Sequence, residues 1–214
     1  MDLILDNLDL FGEGLWTTVQ LTVLSYLLAF AIGLVLATAR VSPVLPLRAA
    51  GTLYVELVRN TPLLVLLILA FFGLPKLGLV WSPFTTAVII LAVYTGAFMG
   101  ETIRAGVNTV AAGQVDAARA IGLTFGQSMA LVVLPQAVRS VVPPLGNLFI
   151  ALTKNTSLAY AISVVELTGT AERLATDTAR ALPAFGGACV AYLLLTLPAG
   201  LLFGRLERGV AVRR

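Results

Sequence analysis

The run GLWTTVQLTVLSYLLAFAIGLVLATA, from Gly14 to Ala39, is 26 residues long and holds no Asp, Glu, Lys or Arg. Wound as an α-helix at about 1.5 Å per residue it measures about 39 Å, more than the roughly 30 Å hydrocarbon core of a bilayer demands. Two further stretches, 77 to 100 and 181 to 204, are equally free of charge and nearly as long. The whole chain agrees with them: 58% of its 214 residues are hydrophobic, 12% are charged, and the mean hydropathy is +0.96. Soluble domains carry about 25% charged residues. These stretches predict an all-α integral membrane protein, with residues 1–214 forming a single transmembrane domain.

The same composition removes most enzyme chemistry. There is no His, so imidazole acid/base catalysis and His-ligated metal sites are absent. The single Cys189 lies in an apolar run and allows no disulfide within the chain. The two lysines follow Pro75 and Thr153, so there is no Gly-Lys-Ser/Thr phosphate loop. Work driven by a nucleotide would have to come from another polypeptide. Residues 1–13 carry Asp2, Asp6, Asp9 and Glu13 without one Lys or Arg, the reverse of a secretory signal's basic start, and are expected to belong to the mature protein.

Shorter charge-free stretches run from 60 to 75, 120 to 138, 140 to 153 and 155 to 165. Leu63 to Gly73 is nearly continuous Leu, Val, Ile, Ala and Phe, and a helix can extend backward from it through Leu53, Tyr54, Val55, Leu57 and Val58. In 120–138, Gly122, Thr124, Gly126, Gln127 and Ser128 weaken a helix, and Pro135 closes the apolar part. That segment reads as a looped piece at the membrane face. The result is five spans at about 14–39, 53–74, 83–104, 136–162 and 182–204, with a loop at about 105–135. The fourth is interrupted by Pro143-Pro144 and by Lys154-Asn155-Thr156-Ser157.

Five spans place the two ends on opposite sides, and basic residues favour the inner face. With the N-terminus outside and the C-terminus inside, ten of the fourteen Lys and Arg residues are inside and three, Lys76, Arg173 and Arg180, are outside. Seven of the eleven acids fall outside, so the faces carry +6 inside and −4 outside. Lys154 alone lies at membrane depth. Ala29, Gly33 and Ala37 in the first span, and Ala92, Gly96 and Gly100 in the third, form small-residue stripes that let helix backbones approach closely.

The motif that carries function sits between the third and fourth spans: Gly113-Gln114-Val115-Asp116-Ala117-Ala118-Arg119-Ala120-Ile121-Gly122, then, after nine residues, Val132-Val133-Leu134-Pro135. Asp116 suits a first helical turn, Ala117, Ala118 and Ala120 keep the helix slim, and Gly122 can supply a left-handed cap. This spacing resembles the coupling motif of permease subunits in binding-protein-dependent ABC importers. Asp116 stands where that motif usually has Glu, and Val132 where it has Ile. Val58-Arg59-Asn60-Thr61-Pro62-Leu63, Leu134-Pro135-Gln136-Ala137-Val138-Arg139 and Ala151-Leu152-Thr153-Lys154-Asn155-Thr156-Ser157-Leu158 are similar to polar amino acid permeases. Arg40-Val41-Ser42-Pro43, Pro144-Leu145-Gly146-Asn147, and Thr196-Leu197-Pro198 with Ala211-Val212-Arg213-Arg214 resemble the actinobacterial glutamate permeases.

The resemblance implies a type I ABC importer permease fold in the bacterial cytoplasmic membrane, crossed several times. It implies a second, homologous or identical permease subunit, two cytoplasmic ATPase subunits, and an extracytoplasmic amino acid binding protein. Neither cofactor nor metal is expected in this chain; ATP and Mg would be bound by the ATPase. The implied ATPase contacts are Gln114, Asp116, Ala117, Ala118, Arg119, Gly122, Leu134 and Pro135. The chain itself would not be an enzyme.

Local readings compete with some of these assignments. Thr61 can cap, and Pro62 begin, the second span, and Leu134-Pro135 can begin the fourth. Lys154, flanked by Thr153, Asn155, Thr156 and Ser157, is costly in a span unless it faces protein or water. It either lines a translocation path or is satisfied by the carbonyls of a broken helix. A path is expected near Gly96, Gly100, Asn147, Lys154 and Ser157, with Glu166 at its outer end. Two other classes remain open, an ion-coupled secondary transporter and a non-transporting scaffold. The first favours acids inside spans, whereas Glu56, Glu101 and Glu166 all sit near span ends; the second has no need of the spaced motif.

Overall fold

The computed structural model describes residues Asp2–Val210. Ala211, Val212, Arg213 and Arg214, which the charge count puts on the inner face, lie outside the described residues. The described residues contain helices and no strand. In chain order they are α1 (Asp2–Leu5), α2 (Leu8–Val41), α3 (Leu45–Arg59), α4 (Leu63–Gly73), α5 (Pro83–Asn108), α6 (Ala112–Ala120), α7 (Phe125–Ser128), α8 (Leu134–Asn155), α9 (Leu167–Thr178) and α10 (Ala181–Val210). Short 3-10 turns follow α4 and α8. Four helical stretches are long and apolar enough to cross a membrane, and a fifth crossing exists if α3 and α4 with its 3-10 extension count as one bent span.

The single span expected over 53–74 is therefore two helices, bent by 101°. Pro62 has no N–H to continue the ladder and disfavours helical backbone at Thr61. Asn60 and Thr61 then close α3 themselves: the Asn60 amide donates to Glu56 O at 2.7 Å and the Thr61 hydroxyl to Leu57 O at 2.8 Å. Thr61 thus serves the end of α3 and does not cap α4, whose N-terminus has no side-chain cap.

The segment expected as a loop at 105–135 is mostly helical. α6 and α7 are joined by a turn at Gly122, and five residues of π-helix, Met129–Val133, carry α7 into α8. A π turn absorbs one extra residue without ending the hydrogen-bonded run, which is how Gly126 to Ile162 becomes a single helical stretch. Pro143 and Pro144 do not interrupt it, because both lie inside α8. Leu134 and Pro135 do open α8, with Pro in its first turn. Between the fourth and fifth spans the chain forms α9, where the sequence offered no apolar run.

Packing centres on α2 and α5, and the two small-residue stripes meet one another. A Cβ on Gly96 would lie 2.7 Å from Ile32 Cγ2, one on Gly100 2.9 Å from Leu36 Cβ, and one on Gly33 2.7 Å from Met99 Cβ. Around this seam Leu21, Leu67, Leu91, Leu152 and Ile162 are fully buried and join α2, α4, α5, α8 and the second 3-10 turn. A second core, with Leu3, Phe11, Leu167, Ala171 and Ala184, ties α1, α2, α9 and α10 together. Polar groups inside bond to backbone: Tyr26 donates to Leu145 O at 3.1 Å, Tyr54 to Val93 O at 3.0 Å, and Ser25 to Val88 O at 3.2 Å. A hydrocarbon surrounding makes such satisfaction necessary. The outer faces carry Leu27, Val35, Leu69, Leu194, Leu197 and Leu201, all exposed.

Candidate functional site

The segment expected to contact an ATPase folds as a compact helical unit. α6 begins at Ala112, four residues before Asp116, so Asp116 is exposed on its second turn and not on the first turn expected from sequence. Gly122 has φ +87°, a backbone region that glycine alone adopts freely. Its N–H donates to Arg119 O at 2.9 Å, and the Leu123 N–H to Ala118 O at 3.1 Å. That pair of bonds is the Schellman closure of a helix C-terminus. α6 packs on the π turn, and Ala118 is buried while Gly113, Asp116, Ala117 and Ala120 are exposed along one face. Arg119 is also exposed, and Ile121 beside the cap is 79% exposed, an apolar contact point that the sequence reading did not select.

Two glutamines fix this unit to the membrane helix. The Gln136 amide donates to Gln114 Oε1 at 3.1 Å and to Val132 O at 2.9 Å. Leu134 and Pro135 are exposed at the start of α8. All eight residues expected at the ATPase contact, Gln114, Asp116, Ala117, Ala118, Arg119, Gly122, Leu134 and Pro135, therefore lie in α6, its cap or the adjoining first turn of α8. The inward Ala118 supports the helix while the others, Gly122 included, are exposed.

The residues expected along a path are divided. Gly96 and Gly100 are buried against α2, and the space their missing side chains leave is filled by Ile32 and Leu36. They make room for a helix, not for a solute. Glu166 is fully buried and caps α9, accepting from Thr168 N at 2.9 Å and Gly169 N at 3.0 Å, and it also accepts from the Tyr192 hydroxyl. Burial pushes its carboxyl above the usual range, against the lowering effect of those three donors. Thr18 Oγ1 accepts from Leu167 N at 3.2 Å, so Glu166 and its neighbour hold α9 against α10 and α2.

Asn147 and Lys154 stay together, both exposed and seven residues apart, hence on nearly one face of α8. The Lys154 ammonium makes no hydrogen bond or ion pair among the described residues, so no broken-helix carbonyl satisfies it. Ser157 donates to Lys154 O at 2.8 Å. On the adjoining face of α8, Leu148, Ala151 and Asn155 join Tyr94, Thr95 and Phe98 of α5 around a cavity of about 230 Å³. Aromatic residues at membrane depth gave no sequence signal separating this cavity from ordinary lipid contact.

Where α2, α3 and α5 end, Glu101 accepts from Arg40 and Arg104, and its carboxylate lies 4.0 Å from Arg59. The Arg59 guanidinium sits 5.2 Å from the centre of the Phe98 ring. Counting charges for topology placed all four groups on one side without revealing that they touch.

The sequence pattern of the family described as "binding-protein-dependent transport system inner membrane component" matches residues 29–212. The chain is 41% identical over 212 residues to the glutamate transport system permease protein GluC of Corynebacterium glutamicum, covering 93% of each chain. It is 35% identical over 208 residues to the probable glutamine ABC transporter permease protein GlnM of Bacillus subtilis, covering 97% of this chain and 96% of that one. Among solved structures it superposes with TM-score 0.91 on an amino acid ABC transporter crystallised with histidines, at 34% identity and 96% of each chain. The methionine transporter MetNI, at 21% identity, shares the fold with TM-score 0.79 over 96% of this chain and 98% of that one. This multi-pass, all-helical chain therefore belongs to the inner membrane components of binding-protein-dependent transport systems, as an amino acid ABC transporter permease that is not itself an enzyme.

Proposed function

We propose that this chain is the permease subunit of an ATP-driven importer of polar amino acids, with glutamate favoured. Substrate passes from an extracytoplasmic binding protein to the cytoplasm by alternating access. Membership of the family implies separate ATPase subunits and a partner permease. The observation that carries the reading is α6: a slim helix with one face bare, closed at Gly122 and braced through Gln114 to the first turn of a long membrane helix. Such a unit transmits force from a docked partner into α8 with little slack. ATP closing the ATPase subunits moves α6, and the difference in affinity between ATPase states supplies the bias, as any shift of population requires.

The orientation that fits this work has the N-terminus outside and α6 inside. The substrate path runs beside α8, past Asn147, Lys154 and Ser157, with Tyr94, Thr95, Phe98 and Asn155 as its neighbours. An unpaired ammonium at Lys154 supports this, because in lipid it is penalised and beside an aqueous path it is not. Glutamate is supported by 41% and 40% identity over 212 residues to two Corynebacterium glutamate permeases, against 35% over 208 residues to a glutamine permease and 42% over a shorter stretch of 158 residues to a cystine permease.

The test is reconstitution of the complete transporter in proteoliposomes with its binding protein, measuring ATP hydrolysis and uptake for glutamate, glutamine and cystine. Glutamate giving the largest stimulation supports the full reading; glutamine or cystine doing so retains the permease and replaces the substrate. In the same system Lys154→Met should assemble normally and lose amino-acid-dependent hydrolysis. Normal transport by that variant removes Lys154 from the path.

A further inference from the structure

At the end of the bundle opposite α6, the first turns of α2 and the body of α9 enclose a cleft of about 160 Å³. Glu13 of α2 and Arg173 of α9 both line it, yet they form no ion pair with one another among the described residues. Two hydroxyls, Thr17 and Thr170, line it as well. Thr170 is only 4% exposed and its hydroxyl makes no hydrogen bond among the described residues. That hydroxyl lies over Gly14, where a Cβ would come within 2.4 Å of it, so the bare glycine leaves it at the cleft floor. Leu10 and Val165 supply apolar wall.

The charge count of this cleft selects its ligand class. One carboxylate and one guanidinium, held apart, cancel as a pair and leave no surplus to hold a simple anion or cation. A molecule carrying its own ammonium and carboxylate satisfies both at once: the ammonium donates to Glu13 and the carboxylate accepts from Arg173, in the forked geometry that guanidinium offers. The Thr170 hydroxyl, which faces the cleft without a protein partner, can bond to the same ligand. The N-terminus of α9 contributes nothing here, because Glu166 already occupies its N–H groups.

We propose that this cleft binds the zwitterionic α-amino and α-carboxylate groups of an amino acid before it enters the membrane path. The inference rests on the amino acid permease function proposed above. It also predicts weak selectivity among side chains, since the two charges are consumed by groups that all amino acids share.

The experiment uses the assembled transporter, this chain with its partner permease and ATPase subunits, in lipid nanodiscs without binding protein. Ligand-observed NMR titrations compare L-glutamine and L-glutamate with n-butylamine and n-butyrate, which carry one charge each. Both amino acids should bind at least tenfold more tightly than either single-charge compound. Glu13→Gln and Arg173→Gln, both at exposed positions, should each weaken amino acid binding about tenfold, the loss expected for one charged hydrogen bond. Equal binding of single-charge compounds overturns the proposal, and that comparison needs no variant to fold. Unchanged amino acid affinity in both variants also overturns it, including the case in which they weaken association with the binding protein instead. If the complete transporter imports no amino acid, the permease reading itself falls; if import is normal and the cleft variants bind as the parent does, only this inference falls.

Discussion

Replacing Gly96 by alanine tests the α2–α5 seam most directly. Helix propensity alone favours the change, since alanine stabilises a helix interior by about 0.8–1.0 kcal/mol over glycine. The seam opposes it. The new Cβ would stand 2.7 Å from Ile32 Cγ2, 2.9 Å from Ile32 Cβ and 3.3 Å from Ala29 O. Ile32 is β-branched and stiff in a helix, so it cannot turn away, and α2 must shift as a body. Overpacking of this kind costs about 1–3 kcal/mol. The net expectation is a loss of about 0–2 kcal/mol, most of it surviving if the seam is rigid. Gly186 of α10 calibrates the propensity gain, because a Cβ there meets nothing within 4 Å. At about 2–4 °C per kcal/mol for a chain of this size, Gly186→Ala should raise the melting temperature by about 2–4 °C. Gly96→Ala should fall below Gly186→Ala by about 2–12 °C, measured by thermal unfolding of the detergent-solubilised complex. If the two variants melt together, the close approach of α2 and α5 is not rigid and the reasoning fails.

Three other outcomes follow from particular contacts. Gly122→Ala places a side chain at φ +87° and should cost about 1–2 kcal/mol locally, lowering ATPase co-purification and transport while membrane insertion is kept; full transport would break the link between the α6 cap and coupling. In a Cys189→Ala background, Leu5→Cys should react with an impermeant thiol reagent in intact cells and Gly209→Cys should not, and the opposite pattern would invert the orientation. Glu101→Gln leaves Arg40, Arg59 and Arg104 facing one another without their shared carboxylate, so the melting temperature should drop, by an amount equivalent to about 1–2 kcal/mol for a cluster this open to solvent; an unchanged melt would mean that solvent already screens this cluster.

The sequence by itself determined that the chain lives in a membrane, because charge is expensive in hydrocarbon and its absence over 26 residues from Gly14 to Ala39 is visible without coordinates. It also exposed α6, because a short helix with a glycine stop is written locally, in Ala117, Ala118 and Gly122, and the fold closes it there. Only the tertiary structure decided what the small residues do. Gly96 and Gly100 read equally well as space for a solute or as a helix seam, and the choice depends on Ile32 and Leu36, more than sixty residues away in sequence. Glu166 presented the same ambiguity, since a carboxylate near a span end suits a path or a cap, and its burial beside Tyr192 makes it a cap. The break at Pro62 was legible as a proline, but its 101° consequence was not, because the angle comes from how α3 and α4 each pack against α5. Local chemistry is read from neighbours in the chain; whether a gap is filled, and by what, is a property of partners that only folding brings together.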